Sequence, residues 1–370
     1  MASSPTRILI AASGTGGHLF PAIALAQQLP DYEIEWLGTA KRMETSLVPD
    51  DYPLNIIAVE GFQQKFSLKS LKIITGLITS IWQTKKLITE RNIDVVFTTG
   101  GYIAAPAILA ARLNKKPTIL HESNYIPGKV TKFLSRWCDV VALGFKGTAQ
   151  YLPQAKTIYV STPVRSQFLT PQAIKLNIPD DAVVILVVGG SQGAVAVNKL
   201  VREAAPAWFD MGAYVVHLTG ENDPDADSLD HPNYISMAFS NNMAGLLQRA
   251  NLAISRAGAG TITELALTNT PAVLIPYPYA AEDHQTYNAQ ELSDAGAAVV
   301  YQQSELTADI LQEQVAQYLR SPEQLESMAN QAKNLAVTDS AERLAEIVRN
   351  LTQRNSDQAK SHAPTKTLPS

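Results

Sequence analysis

Apolar, β-branched runs alternate with longer segments of helical periodicity along most of the chain. This alternation is typical of parallel sheets covered by helices. In the first half, the predicted strands are RILIAAS, IEWLG, LNIIAV, DVVFTT, PTILHE and DVVALG. After about residue 180 the series begins again with AVVILVV, AYVVHLTG, NYISMA, LAISRA and AVLIP. The pattern predicts an α/β fold of two Rossmann-like domains facing a cleft.

Each predicted sheet opens with a strand that runs into a glycine-rich loop, GTGGH at residues 14–18 and GGSQGA at residues 189–194. A linker, YVSTPVR, separates the two series. We therefore expect a first domain over residues 1–160 and a second over residues 161–340. A last helix is expected over residues 341–352, and the polar segment 353–370 is expected to be disordered.

The amino-acid composition excludes several classes of protein. With 370 residues, 46% hydrophobic and 17% charged, the chain has enough apolar side chains for two cores, which excludes disordered, collagen-like and coiled-coil proteins. The single cysteine, Cys138, excludes an internal disulfide and a cysteine-rich zinc site. No apolar run reaches the roughly 18 residues of a membrane-spanning helix, and the start lacks a signal-peptide pattern. A soluble or peripheral protein is expected.

Charge is distributed unevenly between the halves. Residues 1–160 contain 17 Lys and Arg against 11 Asp and Glu, whereas residues 161–370 contain 13 against 23. A basic first half predicts an anionic partner. Nucleic acid is not expected, because the basic residues show no aromatic interleaving and no recognisable nucleic-acid motif.

The GTGGH loop is the first candidate for chemistry. Its glycines allow close backbone approach to a ligand, and we expect a helix from about Phe20-Pro21. His18 at this loop is suited to proton transfer, although a tight turn needs glycines too. A dinucleotide fingerprint fails because Leu19 stands where a glycine is required, and a Walker loop fails at Gly128-Lys129 because Val130 follows.

Further polar loops end other predicted strands. In the first half these are TTGGY at residues 98–102 and HESN at residues 121–124, each of which alone reads as an ordinary turn. In the second half, Gly189, Gly190 and Ser191 are candidates for a phosphate cradle before a helix near Val197. SRAGAGTITE, residues 255–264, predicts a helix from about Thr261. Glu264 is expected in the first turn of this helix. Its carboxylate either interacts favourably with the helix dipole or accepts hydrogen bonds from both hydroxyls of a ribose.

An acidic segment, DPDAD at residues 223–227, contains two overlapping D-x-D patterns of the kind that hold a divalent metal in some glycosyltransferases. Ser228 stands where a calcium loop needs glycine, and no glutamate closes the loop. A solvated acidic loop is the expected interpretation, and no metal is assigned.

Residues 61–89 combine apolar and basic residues without Asp or Glu. At helical spacing stand Leu71, Ile74, Ile78 and Ile81, with Leu77 and Trp82 beside them, and the lysines are Lys65, Lys69, Lys72, Lys85 and Lys86. One interpretation is a helix that packs its apolar stripe on the sheet. Because the large apolar residues exceed one stripe, we expect part of this patch to rest on anionic lipid.

Eight motifs in register resemble the peptidoglycan N-acetylglucosaminyltransferases, which convert lipid I to lipid II. They are GTGGHLFPAIALA, WLGTAKRMETSLVP, TTGGYIAAP, LHESNYIPG, VSTPVR, VVGGSQGA, SRAGAGTITEL and DHQTYNAQELSDAGAA. The resemblance covers Arg7 to about Asn350 and implies the two-domain GT-B fold. It implies an acceptor- and membrane-facing first domain, a second domain that binds UDP-GlcNAc, and a last helix that crosses back to the first domain. One departure is TGGYIAAP, where relatives often have TGGYVSGP.

The resemblance also implies roles for residues. The donor UDP-GlcNAc would be bound by Thr15, Gly16, Gly17, Asn124, Arg165, Ser191, Ser240, Ala259, Gly260, Thr261, Ile262, Thr263, Glu264 and Gln285. Arg165 and Ser191 would contact the diphosphate, Ser240 the uracil, Glu264 the ribose and Gln285 the sugar. The acceptor loops would contain Gly14, His18, Gly100, Gly101 and Tyr102. The general base is His18 or Glu122.

The implied reaction is inverting transfer of GlcNAc from UDP-GlcNAc to the 4-hydroxyl of MurNAc in lipid I, without a cofactor. The implied location is the cytoplasmic face of the bacterial plasma membrane, with anionic lipid and other cell-wall synthesis proteins as further partners. Three alternatives stay open at this point: a UDP-sugar 2-epimerase, a galactolipid synthase and a non-catalytic nucleotide-binding subunit.

Overall fold

A computed structural model describes residues 5–40, 44–59, 68–190 and 193–361, without the side chains of Ser46 and residues 68–72 and 356–361. It divides the chain into two compact units. The first comprises Met1–Ser123, Pro127–Pro163 and Asp339–Ser370, and the second comprises Asn124–Ile126 and Val164–Thr338. Among the described helices, none combines the length and apolarity that crossing a bilayer requires.

The first unit is built on a parallel sheet of seven strands in the order β3-β2-β1-β4-β5-β6-β7. The strands are β1 (Thr6–Ala11), β2 (Tyr32–Thr39), β3 (Leu54–Ile57), β4 (Val95–Thr98), β5 (Thr118–Glu122), β6 (Val140–Leu143) and β7 (Thr157–Tyr159). All six strands predicted for this half are confirmed. The short edge strand β7 was not predicted, because it is only three residues long.

Helices cover both faces of this sheet. They are α1 (Gly16–Gln27), α2 (Glu44–Leu47), α3 (Leu68–Glu90), α4 (Ala104–Leu113) and α5 (Lys129–Leu134), with 3₁₀ turns at Ser135–Trp137 and Lys146–Tyr151. Because strand side chains alternate, Ile8 and Ile10 of β1 join the core under α1, while Leu9 joins the core under α4. The sheet is therefore buried on both sides, which explains the near-continuous apolar strands.

The second unit contains a parallel sheet of six strands in the order β10-β9-β8-β11-β12-β13. The strands are β8 (Val184–Val188), β9 (Tyr214–Leu218), β10 (Tyr234–Met237), β11 (Leu252–Ser255), β12 (Ala272–Leu274) and β13 (Ala298–Val300). The five predicted strands are confirmed, and β13 was not predicted. The helices are α6 (Val195–Phe209), α7 (Met243–Arg249), α8 (Ala259–Leu267), α9 (His284–Asp294), α10 (Ala308–Arg320) and α11 (Pro322–Leu335), with 3₁₀ turns at Ser166–Leu169 and Ala281–Asp283.

The last helix, α12 (Ser340–Ser361), packs on the first unit. Its Leu344, Ala345 and Val348 are buried in the same core as Ile8 of β1. The hydroxyl of Tyr32 lies 2.8 Å from that of Thr352. Residues 353–361 were expected to be disordered, and this is wrong because α12 continues to Ser361. Residues 362–370 lie outside the described part of the chain.

Candidate functional site

The glycine loops of the first unit end two neighbouring strands. β1 pairs with β2 on one side and β4 on the other, so the strand order reverses beside β1. GTGGH follows β1 and TTGGY follows β4, which brings both loops to one edge of the sheet. This carboxyl edge, at the reversal of strand order, is where ligands bind in open α/β sheets.

His18 lies in the first turn of α1, not in a loop before the helix. The prediction of a helix start near Phe20-Pro21 is wrong, because α1 begins at Gly16 with Thr15 at its N-cap position and continues through Pro21. The Nδ1 atom of His18 lies 2.7 Å from the carbonyl oxygen of Thr99. A carbonyl only accepts hydrogen bonds, so Nδ1 is the donor here, and in the neutral imidazole Nε2 is the nitrogen with the lone pair.

The TTGGY turn needs its two glycines. Gly100 and Gly101 have φ angles of +87° and +70°, a conformation that side chains rarely adopt. A Cβ atom on Gly101 would lie 3.7 Å from Nε2 of His18. The turn therefore lies directly beside the imidazole, and Tyr102 next to it is exposed.

Glu122, the second candidate base, is buried at the end of β5. Its Oε2 accepts a hydrogen bond of 3.1 Å from the backbone N–H of Gly128, just before α5. The neighbouring His121 is fully buried, its Nε2 donates to the carbonyl of Ser161 at 3.0 Å, and burial lowers its pKa to about 4. His121 is therefore neutral. Glu122, by contrast, already has one oxygen bonded to the backbone just before α5.

Glu44 is a site residue that sequence reasoning missed. It begins α2, is fully buried, and accepts hydrogen bonds from Ser13 Oγ (2.6 Å), Thr39 N (2.7 Å), Thr39 Oγ1 (3.0 Å) and Gly14 N (3.2 Å). Burial opposes its ionisation, but these donors outweigh burial and hold its pKa below the usual value. The carboxylate thus fastens the start of the GTGGH loop to the end of β2. The motif WLGTAKRMETSLVP carries this glutamate, which is the signal that could have found it.

In the second unit, glycine loops again follow two paired strands, β8 and β11, beside the reversal of strand order. Gly190 has a φ of +89°, and the N–H of Gly193 donates to its carbonyl at 3.0 Å. A Cβ atom on Gly193 would lie 2.4 Å from the carbonyl oxygen of Thr219, so only glycine fits. The helix after this loop, α6, begins at Val195. Ser191, the predicted diphosphate contact, lies outside the described residues.

Helix α8 begins at Ala259 rather than near Thr261, with Gly258 at the N-cap position. The N–H of Ile262 donates to the carbonyl of Gly258 at 3.0 Å, which is the first intrahelical hydrogen bond of α8. The N–H groups of Ala259, Gly260 and Thr261 therefore lie in the helix's first turn, where intrahelical acceptors are lacking. Thr263 Oγ1 donates to the carbonyl of Ala259 at 3.1 Å.

Glu264 consequently lies in the second turn of α8, which weakens its interpretation as a partner of the helix dipole, an effect confined to the first turn. Arg165 Nη2 lies 3.8 Å from Glu264 Oε1. Burial raises the pKa of Glu264 to about 7, although Arg165 acts in the opposite direction. Among the described residues, no donor forms a hydrogen bond to this carboxylate, so its oxygens are available to a ligand.

Gln285 lies at the start of α9, and its Oε1 accepts from the N–H groups of Ala257 (3.2 Å) and Tyr277 (2.9 Å). Both partners are donors, which fixes the amide oxygen there and turns the NH₂ group away. One helical turn later is Asn288, a fully buried residue that sequence reasoning missed. Its side chain donates to Asn124 Oδ1 and to the carbonyl of Ala257, both at 3.2 Å. The i, i+3 spacing of Gln285 and Asn288 was the available signal.

Two remaining predicted features have local roles. Ser240 Oγ accepts from the N–H of Asn242 at 3.2 Å, next to the exposed Phe239. Asp223 of the DPDAD segment accepts from Arg202 Nη1 (2.7 Å) and Asn198 Nδ2 (2.6 Å), and is buried. The expected solvated loop is therefore wrong for Asp223, because its carboxylate is half of an interior ion pair. Within the described residues, no group of three His, Cys, Asp or Glu side chains could hold a metal.

Three apolar residues of helix α3 face outward, whereas Ile88 near its end is buried in the core. Ile74, Ile78 and Trp82, each four residues apart, are 39%, 50% and 60% exposed. The residues that face inward include Ser80 and Thr84, and Ser80 Oγ donates to the carbonyl of Ala58 at 2.9 Å. The interpretation that Ile74 and Ile78 pack on the sheet is therefore wrong. Lys65 lies outside the described residues, as do the side chains of Lys69, Leu71 and Lys72.

Comparison with known proteins agrees with this architecture. The model of the glycosyltransferase family 28 N-terminal domain matches residues 8–143, and that of the family 28 C-terminal domain matches residues 184–344.

Among the similar relatives are proteins named UDP-N-acetylglucosamine–N-acetylmuramyl-(pentapeptide) pyrophosphoryl-undecaprenol N-acetylglucosamine transferase. The protein from Gloeothece citriformis is 65% identical over 95% of this chain and 98% of its own. That from Microcystis aeruginosa is 64% identical over 96% of this chain and all of its own. The crystal structure of Acinetobacter baumannii MurG is 30% identical, with a TM-score of 0.76 over 94% of this chain and all of that one. The chain thus belongs to glycosyltransferase family 28 and, within it, to the family of these N-acetylglucosamine transferases.

Proposed function

We propose that this protein transfers GlcNAc from UDP-GlcNAc to the 4-hydroxyl of MurNAc in undecaprenyl-pyrophosphoryl-MurNAc-pentapeptide (lipid I), with inversion, to give lipid II for the cell wall. Near-full-length identity above 60% to relatives named for this transfer supports the substrates. The observation that carries the mechanism is the tautomer of His18, whose Nε2 lone pair lies beside the turn of Gly100 and Gly101.

In this reaction the acceptor oxygen forms a bond to the anomeric carbon of GlcNAc. The bond from that carbon to the β-phosphate oxygen breaks, and UDP leaves with the electron pair. The hydroxyl proton passes to Nε2 of His18, which acts as the general base. Glu122 supports the neighbouring backbone, since one of its oxygens already accepts from Gly128.

The second unit supplies the donor contacts. The two oxygens of Glu264 would accept from the ribose hydroxyls, because no described protein donor uses them. The NH₂ group of Gln285 would donate to the sugar, since its oxygen is held by Ala257 and Tyr277. Arg165, Ser191 and the first-turn N–H groups of α8 would stabilise the diphosphate as charge develops on it. This arrangement provides positive charge at the leaving group without a cofactor.

The remaining predicted donor contacts belong to the same proposal. Thr15, Gly16, Gly17 and Asn124 would border the sugar, Ser240 the uracil, and Ala259 to Thr263 the nucleotide. Gly14 and Tyr102 would join His18 and the two turn glycines around the acceptor. The left-handed turn of Gly100 and Gly101 and the start of α1 support this role, because both follow strands at the ligand edge of the sheet.

The exposed face of α3 supports attachment to the cytoplasmic face of the plasma membrane. A helix that turns Ile74, Ile78 and Trp82 to solvent while burying Ser80 and Thr84 has an apolar surface with no described partner. Lys85 lies beside it, its Nζ 4.7 Å from the ring centroid of Trp82. Apolar insertion plus about 1 kcal/mol per lysine at an anionic surface would give reversible attachment. Other cell-wall synthesis proteins remain proposed partners.

A product assay tests the proposed function. The full chain is incubated with UDP-GlcNAc and detergent-solubilised lipid I, and the products are analysed by mass spectrometry and NMR. We expect the acceptor to gain one N-acetylhexosamine in β linkage, with release of one UDP. Conversion of UDP-GlcNAc to its 2-epimer without an acceptor product would contradict the proposal and support the epimerase alternative.

A further inference from the structure

Asn288 has no role in the reaction as proposed above, although it is fully buried in α9. Oδ1 of this residue accepts a hydrogen bond of 2.8 Å from the backbone N–H of Tyr125. Its Nδ2 donates to the carbonyl of Ala257 and to Oδ1 of Asn124, both at 3.2 Å. An amide has two N–H donors, and both are used here. Because segment 124–126 belongs to the second unit, all of these contacts lie within one unit.

These partners fix which end of each amide is which. A backbone N–H only donates and a carbonyl only accepts, so the oxygen of Asn288 must face Tyr125 and its NH₂ group must face Ala257. The atom of Asn124 that meets this NH₂ group must then be an acceptor, which is Oδ1. Because the two ends of an amide have nearly the same shape, hydrogen bonding distinguishes them. Asn288 therefore sets the orientation of the Asn124 amide and turns its NH₂ group away from Asn288.

Asn288 also holds the loop that Gln285 holds. The two residues are one turn apart on α9, and Ala257 is fully buried between β11 and α8. Gln285 Oε1 accepts from the N–H of Ala257 at 3.2 Å, and Asn288 donates to the carbonyl of the same residue. One buried side chain thus connects Asn124 with Gln285, the two predicted sugar contacts of this unit.

Segment 124–126 has a second contact with α9 beside this one. The rings of Tyr125 and Tyr287 are stacked, with their centroids 6.1 Å apart and their planes 18° from parallel. Since Tyr287 precedes Asn288, a stacked ring and a backbone hydrogen bond hold Tyr125 on the same turn of the helix. A change of Asn288 alone therefore leaves the segment a contact with α9, and it alters the orientation of the Asn124 amide most directly.

We propose that Asn288 is a positioning residue for the donor sugar, an inference that rests on the proposed function. It holds the Asn124 amide in the orientation that the hydroxyl groups of GlcNAc require and links it through Ala257 to Gln285. A sugar hydroxyl can both donate and accept, so two amides with fixed ends select one arrangement of hydrogen bonds to the sugar. Sites built to hydrogen-bond a hydroxyl discriminate strongly, because a mismatch leaves a buried polar group unpaired. Asn288 thus acts on the sugar part of the donor and not on UDP.

The decisive variant is Asn288→Asp, which keeps the size of the side chain and removes its NH₂ group. At pH 8 the introduced carboxylate only accepts, so it opposes the carbonyl of Ala257 and favours a reversed Asn124 amide. Asn288→Ala removes the hydrogen bonds without favouring either orientation. Calorimetry compares both variants with the parent for affinity to UDP-GlcNAc and to UDP, which lacks the sugar.

Asn114 of the first unit provides the matched control, because its amide is bonded in the same way. Its Nδ2 donates to the carbonyls of Lys85 (3.2 Å) and Ala110 (3.0 Å), and its Oδ1 accepts from Thr89 Oγ1 at 3.1 Å. Asn114 follows α4 and precedes β5, at the end of the sheet where strands begin. Asn114→Asp and Asn114→Ala therefore remove the same kinds of hydrogen bond at a place with no proposed contact to the donor.

We expect Asn288→Asp to weaken UDP-GlcNAc binding by about 30-fold, and UDP binding by less than about threefold. Asn288→Ala should weaken UDP-GlcNAc binding by roughly tenfold, and both Asn114 variants should match the parent for both ligands. In steady-state assays the KM for UDP-GlcNAc should rise in the same order, with the KM for lipid I unchanged. Equal weakening of UDP and UDP-GlcNAc binding would assign Asn288 a purely structural role and would overturn the inference.

The binding experiment also separates this inference from the proposed function, because it needs no acceptor. Parent-like affinity of Asn288→Asp for UDP-GlcNAc would overturn the inference even if the parent protein forms lipid II. Failure of the parent to form lipid II, together with a loss of affinity confined to UDP-GlcNAc in Asn288→Asp, would contradict only the proposed function.

Discussion

Glu44 of the first unit and Glu264 of the second are both withdrawn from water at a glycine-rich edge of a sheet, yet their pKa values move in opposite directions. Four hydrogen bonds from the protein keep Glu44 ionised. Among the residues that the structure describes, the charged partner of Glu264 is Arg165 at 3.8 Å, and burial raises the pKa of Glu264 to about 7. A carboxylate whose oxygens are occupied by backbone and hydroxyl donors fixes a loop, whereas one that lacks such donors is available to a ligand.

His18 should give the largest effect, because it is the proposed general base. Replacing His18 with Ala should lower kcat by about 100-fold or more, since the nucleophile then loses its proton acceptor. Affinity for UDP, measured by calorimetry, should stay at the parent value. Glu122→Ala is the parallel variant, and its kcat should fall less. If Glu122→Ala alone abolishes turnover while UDP still binds, Glu122 is the base.

Glu264→Ala tests the second half of the comparison. Loss of two ribose hydrogen bonds to a carboxylate should reduce kcat/KM for UDP-GlcNAc by an amount equivalent to ~2–4 kcal/mol. Glu326→Ala is the matched control, because Glu326 is a carboxylate in the second turn of α11 in the same unit. Unchanged kinetics with a large drop in melting temperature would support a purely structural role for Glu264.

The raised pKa of Glu264 predicts a pH dependence of donor binding. Below about pH 7 the carboxyl becomes protonated and loses acceptor capacity for the ribose diol, so the KM for UDP-GlcNAc should rise as the pH falls from 8 to 6. In Glu264→Gln, the part of this rise that comes from residue 264 should disappear. A KM profile with the same slope in both proteins would contradict the assignment.

Glu44→Gln should affect stability more than donor binding. An amide retains one acceptor oxygen but turns an NH₂ group toward donors, so unfolding free energy should fall by ~2 kcal/mol. Denaturant titration measures this loss, and kcat should also fall by roughly tenfold because the GTGGH loop is less well held. Weakened UDP affinity with unchanged stability would reverse the roles assigned to the two glutamates.

EDTA should have the smallest effect. Arg165 and helix N–H groups meet the phosphate charge in this account, and the Asp223 carboxylate is held by Arg202 and Asn198. Initial rates of transfer with and without EDTA should agree. Loss of activity that manganese restores would bring the acidic segment at residues 223–227 into the reaction.

The fold was predictable because buried parallel strands leave continuous apolar runs, and the eleven predicted strands all form. The misses, β7 and β13, are three-residue strands whose pairing depends on a neighbour. Helix starts were less predictable. Pro21 suggested a first helical position, yet α1 begins five residues earlier, and α8 begins two residues before Thr261.

The roles of single residues in loops were predictable only from the resemblance to a known family. The periodicity of α3 did not show whether its apolar stripe faces the core or the solvent. A helical stripe gives the same pattern whether it faces a core or a partner. The burial of Ser80 and Thr84 resolves the direction, since their hydroxyls bond to backbone carbonyls at Ala58 and Ser80. Glu44 escaped notice for a related reason: its partners are Thr39, which ends β2, and Ser13, which follows β1, and these come together only in the folded sheet.

Proton linkage of donor binding tests the contrast between the two carboxylates most directly. UDP-GlcNAc is titrated calorimetrically at pH 7 in two buffers of different ionisation enthalpy. Ribose hydroxyls that donate to the ionised form of Glu264 lower its pKa, so binding should release part of a proton and the heats should differ between buffers. We predict that Glu44→Gln keeps this difference between the buffers and that Glu264→Gln loses it. Equal heats in both buffers for the parent protein would contradict the account.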